Sequence, residues 1–239
     1  MEGLAPCQTF SGGQAGSNSK GTESGIVRAS MTSMRHLRDS LDRQHFDDIY
    51  LNMTAHEIID TLQKHRISVD EFLLLDREGA FGDRNTELFD GEVFYMNSKY
   101  SDHARCMTYL SHALFEQLKS SEFEVLTDVS VRISDYDCPE PDLVICSKLE
   151  SNDIVPLGNV KLAIEIAATT LRIDLGPKAN LYANAGIAEY WVVDVEGKRL
   201  TQMWAPQEAS YQKQREIAFG DNVKAQTISD LSITLPIDR

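Results

Sequence analysis

Along residues 160–168 the chain is apolar except at Lys161 and Glu165. A continuous apolar run of that length predicts a strand buried on both faces. Strand alternation puts Leu162, Ile164 and Ile166 on one face and Ala163, Glu165 and Ala167 on the other. A carboxylate inside such a strand is costly to bury unless a positive partner meets it. The alanines on either side leave room for a ligand.

The same reading extends along the chain. Helical spacing of apolar positions predicts helices over Met53 to Leu62, with Thr54 and Glu57 as a capping box, and over Ile67 to Leu75. A long amphipathic helix is expected from Asp102 to Lys119, its face formed by Met107, Leu110, Leu114, Phe115 and Leu118. Residues Thr86 to Met96 read as a hairpin turning at Asp90-Gly91, a type I′ dipeptide. Strands are expected over Glu124 to Ile133, over Leu143 to Cys146 after Pro141-Asp142, over Glu189 to Val195, and from Arg199 to Trp204 after a turn at Glu196-Gly197-Lys198. Short strands end the chain near Leu235. Asp174 to Ala185 reads as a helix opened by Pro177 and closed by Gly186. That helix lies between the Glu165 and Trp191 strands and suits a right-handed crossover. The expected fold is α/β, with a central mixed β-sheet flanked by helices and β-hairpins at its edges.

Residues 1–50 differ. Ser11 to Gly21 is rich in Gly, Ser and polar residues and has nothing to bury, which predicts a flexible extension ahead of a domain spanning 53–239. The net charge of −14 argues against a protein that coats nucleic acid non-specifically. It leaves room for a metal-dependent nuclease, whose cleft is itself acidic. Four cysteines without CxxC spacing argue against zinc and read as buried thiols. No apolar run is long enough to span a membrane, and the start does not read as a signal peptide, so the cytoplasm is the expected compartment.

Asp142 at the start of one strand, Glu165 within another and Lys178 near the start of a helix form a candidate cation site with a polarising lysine, which is equipment for cutting a phosphodiester. A structural ion pair between Glu165 and Lys178 explains those two residues equally well. Taken alone, Asp142 reads as a strand-start residue, Glu87 as an exposed strand carboxylate and His103 as a helix-start or surface histidine. Tyr190 and Trp191 read as core.

The ordered set of Glu87 to Val93, Pro141 to Ile145, Ala163 to Ile166 and Lys178 to Asp194 resembles the Uma-type family of restriction-endonuclease-like proteins in the PD-(D/E)XK nuclease superfamily, abundant in bacteria. The resemblance spans roughly residues 53 to 236 and is most specific from Lys178 to Asp194. It implies a restriction-endonuclease-like core and a site in which Asp142 is the Asp of the Pro-Asp motif and Glu165 the acid of (D/E)XK. The lysine usually two positions later is Ala167 here, and Lys178 on the following helix matches its migrated position. Glu87 matches the upstream acid, and His103 a position where the family often has His. The resemblance implies Mg²⁺ or Mn²⁺ held by Asp142, Glu165 and the backbone carbonyl of Ile166, DNA as substrate, and a possible homodimer. One departure is Ala167 to Thr170, where the family usually has a Leu-Ser-Pro-like stretch. The competing readings are a nuclease-fold protein that binds nucleic acid or a partner without cutting, and a protein-interaction module.

Overall fold

Apolar alternation and turn chemistry set the elements seen in the computed structural model, which describes residues 64–150 and 154–236. The helix expected over Met53 to Leu62 and the extension of residues 1–50 lie outside the described residues. The described elements belong to one compact unit, His65–Arg239.

Helix α1 (Val69–Arg77) starts at a capping box. The Ser68 side chain accepts from the Glu71 N–H, and the Glu71 carboxylate accepts from the Ser68 N–H at 2.8 Å. Strands β1 (Thr86–Phe89) and β2 (Glu92–Tyr95) form the expected hairpin. Asp90 and Gly91 both take positive φ, 50° and 77°. A side chain at Gly91 would also bring its Cβ within 2.6 Å of Arg66 Cβ. A small cluster of Val69, Phe72, Leu88 and Cys138 holds α1 to this hairpin.

Helix α2 (Ser101–Leu118) buries Leu110, Leu114 and Leu118, one stripe at four-residue spacing. Phe115, expected in the core, lies one position round the helix and stays exposed. The strand expected over Glu124 to Ile133 is two elements, β3 (Phe123–Thr127) and β4 (Val131–Arg132). Asp128 breaks it with a φ of 49°, and β4 turns away to pair in parallel with β6 (Val155–Pro156). Strand β5 (Leu143–Ser147) precedes β6, and β7 (Val160–Ala167) follows it.

The helix expected from Asp174 begins earlier and is not uniform. It comprises α3 (Leu171–Ile173), a wide π turn (Asp174–Lys178) and α4 (Ala179–Asn184), and ends at Gly186 with φ 76°. Pro177 sits inside the π turn. It has no N–H to give the carbonyl four residues back, and its ring crowds that carbonyl. Strands β8 (Glu189–Asp194), β9 (Arg199–Gln207) and β10 (Ser210–Ala218) follow, then the short pair β11 (Asn222–Lys224) and β12 (Ser232–Thr234).

The central sheet has six strands in the order β10-β9-β8-β7-β5-β3. Only β7 and β8 run parallel, and the α3–α4 segment connects them; the other neighbours are antiparallel. The β9–β10 hairpin makes one edge. The β1–β2 hairpin is a sheet of its own, tied by a bridge from Leu88 to Cys138. Leu162, Ile164 and Ile166 face α2 and the C-terminal strands, while Ala163 and Ala167 face α4 through Ala179 and Tyr182. The expected division of β7 into two faces therefore holds, and Glu165 lies on the α4 side. Among the described residues no helix is long and apolar enough to cross a membrane.

Candidate active site

Five segments bring polar side chains to one cavity of about 500 Å³. β1 supplies Glu87, α2 supplies His103, the start of β5 supplies Asp142, β7 supplies Glu165, and the π turn supplies Asp174 and Lys178. All six side chains are buried. The four site residues expected from sequence, Glu87, Asp142, Glu165 and Lys178, thus line a single cavity.

Lys178 is the hub. Its Nζ donates to Glu87 Oε1 and to Glu165 Oε1, each at 3.0 Å. The Tyr182 hydroxyl, one turn along α4, donates to the same Glu165 oxygen at 2.9 Å. Glu87 Oε1 also accepts from the Glu140 N–H at 2.8 Å, which fixes the hairpin carboxylate against the segment leading to Asp142. Glu87 Oε2 is buried without a hydrogen-bond partner. An unpaired buried carboxylate oxygen is costly, and its persistence needs either the lysine charge beside it or a ligand.

Asp142 is held from both sides. Its Oδ2 accepts from the Ile166 N–H at 2.7 Å, which locks it to β7. Its Oδ1 lies 2.9 Å from Lys99 Nζ and 3.0 Å from His103 Nε2. Lys99 is also paired with Asp128. On the π turn, Asp174 Oδ2 accepts from the Thr170 hydroxyl at 2.5 Å, and the Asp174 carbonyl accepts from Tyr190 at 3.0 Å. Thr170, which stands in the stretch that departs from the resembled family, thus serves to start this turn.

These surroundings move the proton equilibria. Burial pushes the Glu165 carboxyl up to about 8, against the pull of Lys178, with the Asp142, Asp174 and Glu87 charges adding to the rise. Burial likewise raises Asp174 to about 6, opposed by the Thr170 hydroxyl and Lys178. For Lys178 burial acts to lower the value, but the Glu165 and Glu87 charges outweigh it and hold the ammonium above the ordinary lysine range. Burial acts to raise Asp142; the hydrogen bond and charge of His103, then Lys99, overcome this and leave the carboxyl below its ordinary value. Lysine therefore stays charged while Glu165 and Asp174 resist ionising, because burial penalises their charged forms and the neighbouring carboxylates add to it.

Among the described residues no three His, Cys, Asp or Glu side chains converge as a ready-made metal cage. The donor set nevertheless fits a hard divalent cation in kind, since Asp142 and Glu165 present carboxylate oxygens to the cavity. A carboxylate has about four lone-pair sites. Asp142 has three close partners and Glu165 has two, both on Oε1, so each retains acceptor capacity.

Sequence reasoning missed Lys99, Asp174 and Tyr182. Signals for them exist. Asp174, Lys178 and Tyr182 are four residues apart and share a helix face, and Lys99 precedes His103 by the same interval. Glu87 and His103, read singly as exposed, are instead fully and almost fully buried.

A mixed sheet whose inner strand carries a buried acid, met by a crossover lysine that also pairs with an acid of the separate hairpin, defines an α/β domain with a buried acid–lysine cluster. In structure, the chain is similar to a nuclease described as putative and belonging to DUF820, from Anabaena variabilis ATCC 29413. The TM-score is 0.55 at 16% identity, over 70% of this chain and 94% of the other, a likeness of fold. The chain belongs to the Uma2 family, described as "Putative restriction endonuclease", whose profile matches residues 69–237. No curated protein matches the chain significantly.

Proposed function

We propose that the protein is a metal-dependent endonuclease that hydrolyses DNA phosphodiester bonds at the Glu87–Asp142–Glu165–Lys178 cavity. The observation that carries this reading is the position of Lys178. Its ammonium lies 3.0 Å from Glu165, the acid that in the resembled motif is followed two residues later by lysine, although residue 167 is alanine. A cation from the crossover turn thus meets the acid that the strand leaves without one.

Asp142 and Glu165, with the Ile166 carbonyl, would hold Mg²⁺ or Mn²⁺. When bound, such an ion activates water and offsets charge on the phosphate. The protein groups have separable tasks. Lys178 offers positive charge to the scissile phosphate. Glu87 positions Lys178, and Tyr182 orients Glu165 through Oε1. The Ile166 N–H and His103 orient Asp142. Buried walls exclude bulk water and strengthen each of these interactions.

The test is nicking of supercoiled plasmid with Mg²⁺ or Mn²⁺ by the wild type, Glu165→Ala and Lys178→Ala. Nicking by the wild type alone supports the reading. Equal nicking by all three marks a contaminant and removes the support for this site. A second reading, a nuclease-fold protein that binds without cutting, is favoured by the full engagement of Lys178 between two carboxylates. It predicts DNA binding with no nicking by any of the three. We further propose a cytoplasmic homodimer able to cut both strands; a monomeric mass by analytical ultracentrifugation would refute the dimer.

A further inference from the structure

The cavity floor is charged, but its rim is aromatic. Phe94, Tyr95, Tyr100 and Ile173 line it and are exposed, from 46% for Phe94 to 64% for Tyr100. Phe89 packs edge-on to Phe94 with ring centroids 5.7 Å apart, which steadies that side of the rim. Clustered exposed rings of this kind are rare on soluble proteins and mark ligand-binding surfaces.

The distribution of cations is equally specific. The lysines that line the cavity, Lys99 and Lys178, are each bound by two carboxylates. They are poor grips for the backbone of a duplex, whose binding depends on many phosphate contacts. Arg84 differs. It lies outside the cavity lining, next in sequence to the lining residue Asn85; its guanidinium covers one face of the Tyr95 ring at 4.6 Å, and it forms no ion pair among the described residues. The rim therefore offers the exposed rings of Tyr95 and Tyr100, with one cation behind Tyr95 that no described carboxylate holds, complementary to a base and its own phosphate.

We infer that the cavity takes an unpaired nucleotide from single-stranded or locally opened nucleic acid, with bases stacked on Tyr95 and Tyr100 and a phosphate beside Arg84. The inference rests on the nuclease reading and names its substrate class. Base–aromatic stacking needs no sequence match, because every base has a π face. A cavity of about 500 Å³ is in the size range of small-ligand sites and does not resemble a groove built to follow a duplex. The acidic net charge is compatible with this mode, which uses few phosphates, and opposes one that uses many.

The experiment uses the full chain carrying Glu165→Gln to block cleavage. Fluorescence anisotropy then compares a labelled 12-nucleotide single strand with the same sequence as duplex, across a salt series. The single strand is expected to bind at least tenfold tighter. Its affinity should fall with a shallow salt slope, about one or two phosphates' worth. Tyr95→Ala and Tyr100→Ala should each weaken it by roughly five- to a hundredfold. Both residues are exposed, so these variants should fold, and circular dichroism checks that they do. Equal or tighter duplex binding, or unchanged affinity in both tyrosine variants, overturns the inference. If neither nucleic acid binds, the inference fails, and the plasmid assay separates the cases. Nicking by the wild type keeps the nuclease with a different substrate, whereas no nicking removes both.

Discussion

Replacing Lys178 by methionine separates what the lysine does for the fold from what it does for chemistry. Its ammonium makes two contacts of 3.0 Å with carboxylates whose side chains are 1% and 5% exposed. Removing one member of a buried charge cluster leaves the others uncompensated and typically costs about 3–5 kcal/mol. Glu87 would keep only the Glu140 N–H on Oε1, with Oε2 already without a hydrogen-bond partner. The total stability of a domain is only about 5–15 kcal/mol, so the loss would be a large share of it. With a urea slope of about 2 kcal/mol per molar, the midpoint should fall by roughly 2 M. The assay is equilibrium unfolding above about pH 8, where Glu165 is ionised, followed by tryptophan fluorescence, to which Trp191, fully buried in β8, contributes. The control is the same substitution in a Glu87→Gln/Glu165→Gln background. There the carboxylates are neutral and the penalty should shrink by about 2–3 kcal/mol, the coupling of the cluster. A cost below about 1 kcal/mol, or an equal cost in both backgrounds, would refute the buried-triad account of Lys178. It would also remove the reason for reading Glu87 as the group that positions it.

The raised Glu165 carboxyl makes stability depend on pH with a defined sign. Between its ordinary value of 4.5 and about 8 the folded state holds the proton that the unfolded state has lost, so stability falls as pH rises through that window, and Asp174 adds the same sign between 3.8 and about 6. Thermal melts from pH 5 to 8 should show the decline, and Glu165→Gln should flatten it. Asp142 acts oppositely: its lowered value means its contribution is lost as pH falls below about 3.8, and Asp142→Asn should blunt acid unfolding. Away from the cavity, the Glu189 carboxylate accepts from Trp191, Gln202, the Gln226 and Thr227 N–H groups and the Thr227 hydroxyl. Glu189→Ala should cost about 3–5 kcal/mol in urea unfolding, and nicking per folded molecule should be unchanged. Finally, Ala167→Lys combined with Lys178→Ala, which returns the lysine to its usual motif position, should fail to restore activity and should lower the midpoint, since residue 167 is 1% exposed and has no room for the added chain.

Legibility in the sequence followed the range of the forces involved. Strand β7 could be read because its pattern is local: nine residues with two interruptions predict a doubly buried strand, and the faces followed from alternation. The β1–β2 hairpin was legible for the same reason, since Asp90-Gly91 selects its own turn. The break at Asp128 was not, because Val129 and Val131 continue the apolar pattern of a strand. What ends it is a positive φ together with an N–H bond to the Asp142 carbonyl, a partner fourteen residues away. Glu87 shows the same limit: nothing near it in the chain announces burial. It is buried because Lys178, 91 residues later, and the Glu140 N–H come to meet it.

That a lysine meets Glu165 from the crossover, with alanine at position 167, has a structural reason. On β7 the position two residues beyond Glu165 faces α4, and Ala163 and Ala167 are the small surfaces on which Ala179 and Tyr182 pack. A lysine there would push α4 away and take with it the Tyr182 hydroxyl that orients Glu165. The helix can carry the ammonium only if the chain turns wide before it. The Thr170–Asp174 bond and Pro177 mark that turn, and they set Lys178 at its last position. Small residues on the strand, a proline in the turn and a lysine at its end therefore form one solution. They bring a charge to Glu165 from the crossover while the sheet keeps its close contact with α4.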